Sequence, residues 1–536
     1  MSKYSIGIDY GTLSARAILV DMTDGKICAE AEYAYPHGVM DSALTDGTPL
    51  EKNSAFQHPQ DYLDAAEYTI KKVVADSGVK SADILSLGID FTACTILPVD
   101  EGGTPLCFYD EFKSEPHAYV KLWKHHSAQN EADTITRLAQ QNNQEWLKLY
   151  GGKVSSEWLF PKMLETLNKA PRAFDSAARF VEAADWLVYR LTGKEVHSSC
   201  MAGYKGMWNA DSGYPSSEFL EKIHPKLKNV VSTKVSENIL PTGSKGGEIN
   251  GEGHNLVGLD IGTAVAVPII DAHSALPAAG IVSESVLMAI IGTSTCHIIM
   301  NKEPKPVPGI CGMVQDGVIP GFAAYEAGQA AVGDIFAWFI ENCTPYKYVE
   351  NAKKLGMSIF DYMTEKAKEV APGSNGVIAL DWWNGNRTPY ADYDLSGMLC
   401  GLTLTTKPEG IYRALIESTA FGTKRILDLY ISHGVEVKEI YASGGIAQKN
   451  PLLMQIYADV CGMKIKVPTG RQAAAKGGAI LAACACGYYD TFKAAADAMA
   501  DKDIIEYTPN PKNTEEYDKM YSKYCELSEY FAKRNK

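Results

Sequence analysis

At 536 residues the chain is too long for one ordinary core, so two large domains or three smaller ones are expected. Its 46% hydrophobic and 22% charged residues are those of a globular protein. A formal net charge of −14 argues against a general nucleic-acid surface, yet leaves room for a local nucleotide site built from backbone N–H groups and a metal.

Taken in order, residues 1–35 read as strand, turn, strand, turn, strand, an antiparallel meander. Ile6–Ile8 and Ala17–Val20 flank a polar turn with Gly11, Thr12 and Ser14, and Asp9 closes the first strand. Pro59–Asp76 has helical spacing, and Ile84–Ile89 is a short strand running into Asp90. Residues 110–180 read as a polar, mostly helical insert. Phe180–Leu191 is expected to be a helix, Ser198–Asn209 a loop, and Gly243–Gly253 a surface turn. Ala264–Ile270 is a strong apolar strand ending at Asp271.

A second cycle starts at Val286–Ile291, followed by Gly292-Thr293-Ser294-Thr295 and the strand Cys296–Met300. It repeats the opening strand, Gly-Thr turn and strand about half a chain later, which predicts two copies of one fold. Helices are expected over Gly328–Asn342, Asn351–Val370, Pro408–His433, Pro451–Cys461 and Ala473–Ala485, with strands at Glu439–Ala442 and Lys464–Val467. A charged amphipathic helix closes the chain. The 12 cysteines lack zinc-ligand spacing, and free thiols in a reducing cytosol are expected. No leader-like opening and no apolar run of membrane-spanning length is seen, so a soluble, cytoplasmic protein without membrane or nucleic-acid partners is expected.

Three Gly-rich turns, at Gly11-Thr12, Gly292-Thr293-Ser294 and Gly444-Gly445, each follow an apolar strand. Glycine is the usual turn residue, but that alone does not account for the duplicated pattern; a nucleotide held between two domains does. Asp9 beside the first turn suits Mg²⁺, directly or through water. Asp271 is the candidate general base, and equally a residue type favoured at helix N-caps. Lys205 reads as a loop lysine and Glu326 as a residue between strand and helix. His125 and His126 are adjacent and do not share a helix face, so no metal site follows from them. Trp382-Trp383 begins an aromatic loop that lines a pocket or only packs.

Assembled, these stretches resemble the FGGY family of carbohydrate kinases over nearly the whole chain. The resemblance is carried by GIDYGTLSARA near the start, GIDFTACTILPVD at 88–100, MAGYKGMWN at 201–209, IIDAHSA at 269–275, IIGTSTCHI at 290–298, YEAGQAAVGD at 325–334, and ASGGIAQKNPLLMQIYADV at 442–460. KHHSAQNEAD and SSEWLFPK point within the family to the branch acting on L-ribulose in L-arabinose catabolism, over the glycerol and xylulose branches. Gly410 stands where the family signature favours a polar or acidic residue, and Leu164 where many members carry Trp.

The resemblance implies an α/β protein of two actin-like, ribonuclease-H-like domains around a cleft. Residues 1–278 would carry sugar binding and the catalytic base, and residues 279–536 ATP binding. It implies transfer of the ATP γ-phosphoryl group to a ketopentose, with Asp271 as base and Asp9 near Mg²⁺. Gly11, Thr12, Gly292, Thr293 and Ser294 would meet phosphates, and Gly444, Gly445 and Asn450 the adenosine. Ala93 (by its backbone), Lys205, Asp271 and Glu326 would hold the sugar. Family members are often dimers, so a homodimer is an expectation. D-ribulose, xylulose and pentitols are alternative acceptors. The same superfold serves actin and heat-shock chaperones, but no stretch after residue 500 has room for a peptide-binding domain.

Overall fold

The computed structural model describes residues 2–534. The chain opens with the expected meander, β1 (Tyr4–Tyr10), β2 (Ser14–Asp21) and β3 (Ile27–Ala34), then helix α1 (Pro59–Ser77) and strand β4 (Ile84–Phe91). β1 lies antiparallel to β2 and parallel to β4, so Asp9 falls directly opposite Asp90. Both acids lie within their strands, one residue short of the ends, rather than at them.

Residues 110–180 form no loose polar insert. Around helix α2 (Leu159–Lys169), Phe112, Leu147, Trp158, Phe160 and Met163 pack a core of their own. Arg179–Glu182 is a strand, not the start of a helix, because it pairs antiparallel with Ile96–Val99; the helix begins at Ala183. Ser199–Lys205 is a short helix, α3, where a loop was expected; the Ser198 side chain caps it by accepting the Cys200 N–H.

The Gly-rich stretch after Gly243 contains an edge strand, β5 (Lys245–Glu248), on β6 (Ala264–Ala266). Its Gly247 is buried because a Cβ there would sit 2.7 Å from Thr192 Cβ. The expected long strand before Asp271 is split into β6 and β7 (Ile269–Ile270), on either side of Pro268, and helix α4 (Asp271–Ala278) follows at once.

The second half repeats the plan with β8 (Val286–Ile291), β9 (Thr295–Asn301), β10 (Gly312–Gln315), β11 (Ala323–Gln329), β12 (Glu439–Ser443) and β13 (Ile465–Pro468). Helix α5 (Ala473–Ala485) and strand β14 (Ile504–Tyr507) follow. The first sheet runs β5-β6-β4-β1-β2-β3, with β7 also on β4, and the second β10-β11-β9-β8-β12-β13-β14. The inner orders β3-β2-β1-β4-β6 and β11-β9-β8-β12-β13 match strand for strand, including which pairs are parallel. The repeated hairpin is therefore the sequence trace of a duplicated sheet.

Gly328 and Gln329 belong to β11, and the expected helix there starts only at Gly333. The expected Asn351–Val370 helix is two helices, Tyr346–Lys354 and Ile359–Lys368, broken at Gly356, whose φ of 67° is left-handed. Pro408–Ser432, Pro451–Cys461 and the closing Pro511–Arg534 helix stand as expected.

Helix α5, from the second half, lies on the first sheet and against α4. The approach is too close for any side chain beneath it: a Cβ on Gly7 would lie 1.7 Å from the Ala475 carbonyl oxygen, and one on Gly88 2.0 Å from that of Gly478. Among the described residues no helix is long and apolar enough to cross a membrane.

Candidate active site

The parallel register of β1 and β4 sets two carboxyls side by side. Asp90 is fully buried, and both its oxygens lack a hydrogen-bond partner while it is ionised. Two carboxylates cannot bond each other; once Asp90 holds a proton it can donate to Asp9. Burial, then the Asp9 charge, push the Asp90 carboxyl well above the usual carboxylate range. Burial also raises Asp9, against the Asp90 hydrogen bond and the Arg16 charge. Asp90 was not among the residues expected from the sequence. Its signal is there nonetheless: Gly7-Ile8-Asp9 and Gly88-Ile89-Asp90 are the same triplet, on strands that pair in register.

Asp271 is the first residue of α4, one place past the N-cap position, which Ile270 fills. Its Oδ1 accepts the Ala272 N–H at 2.7 Å; Oδ2 accepts no hydrogen bond among the described residues. One oxygen thus steadies the helix start and the other stays available. Burial first, then the Asp9 charge, push the carboxyl up to about 7. Glu326 raises it further and Lys205 lowers it, so the four groups share one electrostatic neighbourhood.

Lys205 sits in the last turn of α3, buried, with its ammonium 3.3 Å from Glu326 Oε1. Glu326 lies inside β11, fully flanked by strand, not between strand and helix. It therefore reaches the cluster from the second sheet, and the sugar residues expected from the sequence span both halves of the chain. His273 Nε2 is 3.1 Å from Glu326 Oε2, and its Nδ1 is 3.1 Å from Cys200 Sγ. Burial outweighs Glu326 in lowering the His273 pKa, so the ring is neutral; Nε2–H then donates to Glu326 and Nδ1 accepts the thiol proton. Burial alone would raise Glu326, but Lys205, the His273 hydrogen bond and Arg387 hold it well below the usual range. The sequence reading passed over His273 and Arg387. Ala93 is half-buried on the loop after β4.

The three Gly-rich turns differ in build. Gly11 donates its N–H to Ser14 O at 3.0 Å and Gly292 to Ser294 O at 2.8 Å, so each Gly-Thr hairpin is closed by its glycine N–H, the second more tightly than the first. Thr12 is pinned twice: Gln57 Nε2 donates to its carbonyl at 2.7 Å and Trp123 Nε1 to its hydroxyl at 3.1 Å. Thr293 is exposed and Ser294 half-buried. Gly444 adopts φ 98°, and a Cβ there would meet Ile291 O at 2.4 Å, so the end of β12 lies hard against β8. A Cβ on Gly445 would meet nothing within 4 Å, leaving the start of its short helix open. Asn450 caps the next helix through Oδ1 on the Leu453 N–H, 3.0 Å, which leaves its amide NH₂ for other partners.

His125 is fully buried and bonded to Glu165 at 2.8 Å, a core group of the insert, while His126 is exposed. Trp382 is buried and Trp383 packs against Trp338 at 5.4 Å between ring centroids.

This arrangement has relatives. The N-terminal domain of the FGGY family of carbohydrate kinases matches residues 4–277 and its C-terminal domain residues 287–486. The chain is 48% identical over 528 residues to a ribulokinase of Bacillus licheniformis, covering 98% of this chain and 96% of that one. It is 46% identical over 536 residues to a ribulokinase of Geobacillus thermodenitrificans, covering 99% and 95%. Among solved structures, a gluconate kinase from Lactobacillus acidophilus superposes with a TM-score of 0.82 at 20% identity, over 99% of each chain. A ligand-bound xylulose kinase from the same organism gives 0.81 at 20%, over 99% and 98%. Those two likenesses bear on the fold alone. Matched in both domains and across nearly its full length, the chain belongs to the FGGY family of carbohydrate kinases.

Proposed function

We propose that this kinase transfers the γ-phosphoryl group of ATP to the terminal hydroxyl of L-ribulose, giving L-ribulose 5-phosphate in L-arabinose breakdown. The relatives named ribulokinase support the acceptor. The observation that carries the chemistry is Asp271: a carboxyl pushed up to about 7, with one oxygen free, beside both the Asp9–Asp90 pair and the Lys205–Glu326 pair.

In this reading Lys205, Glu326, Asp271 and the Ala93 backbone hold the sugar. Lys205 donates to its oxygens, and the Glu326 carboxylate accepts from its hydroxyls. Asp271 Oδ2 takes the proton of the attacking hydroxyl as the oxygen adds in line to phosphorus, and a base poised near pH 7 does this well. Gly11, Thr12, Gly292, Thr293 and Ser294 offer N–H and O–H donors to the phosphates, and Gly444, Gly445 and Asn450 border the adenosine. The open space over Gly445 supports the latter. The Asp9–Asp90 pair fits Mg²⁺, because it presents two carboxyls in register with the Asp90 oxygens otherwise unpartnered. When bound, Mg²⁺ neutralises charge on the β- and γ-phosphate oxygens. The division of labour proposed is sugar and base on residues 1–278 and ATP on 279–536, with Glu326 crossing to the sugar and Gly11, Thr12 and the Asp9–Asp90 pair crossing to the phosphates and metal. The cytoplasm suits a chain with 12 unpaired thiols.

The test is ADP release, coupled to a reporter, across L-ribulose, D-ribulose, D-xylulose and pentitols. L-Ribulose should give the highest kcat/KM. A tenfold preference for another acceptor would reassign the substrate, and sugar-independent ADP release alone would overturn the reading.

A further inference from the structure

Lys162 is a charged side chain that the mechanism above does not use. It projects from α2 into the interior and is 1% exposed. Its ammonium donates to three backbone carbonyls: Cys94 O at 2.5 Å, Leu122 O at 2.8 Å and Lys121 O at 3.4 Å. Three N–H groups thus meet three acceptors, and no carboxylate pairs with it among the described residues. Lys121 answers from the other side, its own ammonium donating to Lys162 O at 2.9 Å and to Glu165 at 2.7 Å.

What matters is where the three carbonyls lie. Cys94 follows Ala93, whose backbone borders the sugar in the proposed function. Cys94 holds φ 54°, a conformation that side-chain-bearing residues rarely adopt, so the loop needs an outside hold to keep its shape. Leu122 precedes Trp123, whose indole N–H donates to the Thr12 hydroxyl in the phosphate-side hairpin. One ammonium therefore grips both the chain that shapes the sugar side and the chain that sets the Thr12 hydroxyl. Cys94 packs in the core around α2, so the ammonium ties that core to two segments of the first half, one running on to the sugar side and one to the Thr12 hairpin.

We infer that Lys162 is a positioning residue, which holds the Ala93–Cys94 loop and the Leu122–Trp123 segment in fixed relation so that sugar and γ-phosphate meet in line. This rests on the sugar-kinase reading. Misplacement by about 1 Å can cost on the order of a hundredfold in rate.

The test compares wild type, Lys162→Met, Trp123→Phe and the double variant, with KM for L-ribulose, KM for ATP and kcat read separately. Methionine keeps length and bulk but donates nothing. Lys162→Met is expected to raise both KM values and lower kcat/KM for sugar by about a hundredfold. Trp123→Phe, at an exposed position, is expected to raise KM for ATP severalfold and leave KM for sugar unmoved. The double variant should show less than the product of the two ATP effects, because Trp123 acts downstream of Lys162. A folded Lys162→Met with both KM values of wild type overturns the inference, as does full additivity. If Lys162→Met does not fold, Trp123→Phe decides: an unchanged KM for ATP overturns the coupling. Failure of the kinase reading would show in the wild type, as no sugar-dependent ADP release, before any variant is compared.

Discussion

Asp9 and Asp90 face each other across the parallel strands β1 and β4, and Asp90 is sealed in with no partner for either oxygen while ionised. Two carboxyls so placed cannot both ionise cheaply, so without a cation the pair keeps a proton, as in other close acid pairs.

Asp90→Asn should therefore stabilise the ligand-free protein while harming activity. The folded-state pKa of Asp90 lies above its unfolded value of 3.8. Stability linked to it is fully present below that value and is lost as pH rises through the raised one. Asparagine has no such loss, so the Tm of Asp90→Asn should gain on wild type as pH rises above about 4. Thermal unfolding without ATP measures this, and parallel Tm curves would refute it. With Mg²⁺ on the acid pair as proposed, the same variant should also lose at least about tenfold in kcat and require more Mg²⁺, since one of the two carboxyls offered to the metal is gone.

For Asp271 the expectation concerns the pH profile. With its carboxyl pushed up to about 7, kcat/KM should climb with pH through that value, because only the ionised form accepts the hydroxyl proton. Asp271→Asn should lose about 10²–10⁴ in kcat and its residual activity should lack that limb. A wild-type profile flat from about pH 5 to 8 would remove Asp271 as the base.

The residues legible in the sequence were those embedded in long matching stretches: Asp271 in IIDAHSA, Lys205 in GYKGMW, Glu326 in YEAGQAAVGD. The duplicated sheet was legible because strand, Gly-Thr turn and strand recur with little between them. The surroundings of Lys205 and Glu326 were not. A lysine between aromatics reads as a solvated loop residue, and only the packing of α3 on β10 and β11 buries it beside Glu326. Asp90 was missed for another reason: its place in the site follows from a strand register that pairs residues 81 apart, Asp9 with Asp90, which local pattern does not report. The edge strand at Lys245–Glu248 was hidden by glycines that read as turn, yet serve the close approach of Thr192.

Lys205→Met should be costly to stability as well as to sugar binding. It leaves Glu326 in the interior with His273 as its remaining hydrogen-bond partner and Arg387 as the remaining nearby cation, and breaking a buried pair by removing one partner costs about 3–5 kcal/mol. Glu326→Gln should be milder, since its one amide oxygen still accepts from Lys205, although its NH₂ then meets His273 Nε2. Its acid response should also differ. The Glu326 pKa is depressed in the folded state, so its contribution is present above the unfolded value of 4.5 and is lost as pH falls. Wild type should therefore lose its advantage over Glu326→Gln on acidification. Urea melts of both variants at about pH 7 and pH 4 give the answer, and equal differences at the two pH values would contradict it.

Gly88→Ala tests how the second half of the chain grips the acid pair. Gly7 and Gly88 stand two residues before Asp9 and Asp90, on the same faces of their strands. Helix α5 lies on that face so closely that a Cβ on Gly88 would come within 2.0 Å of Gly478 O, and a Cβ on Gly478 would lie 3.6 Å from Asp90 Oδ2. Backbone cannot yield as a side-chain tip does, so alanine must push α5 off the sheet. Overpacking of this kind costs about 1–3 kcal/mol, and here it also opens the wall behind the acid pair to water. Gly88→Ala should thus lose both stability and kcat, with the pH dependence of its Tm flattened as Asp90 becomes hydrated. Gly251→Ala, where a Cβ meets nothing within 4 Å, is the control and should stay within about 0.5 kcal/mol of wild type. Should Gly88→Ala melt and turn over like the control, the close seating of α5 does not matter to the site.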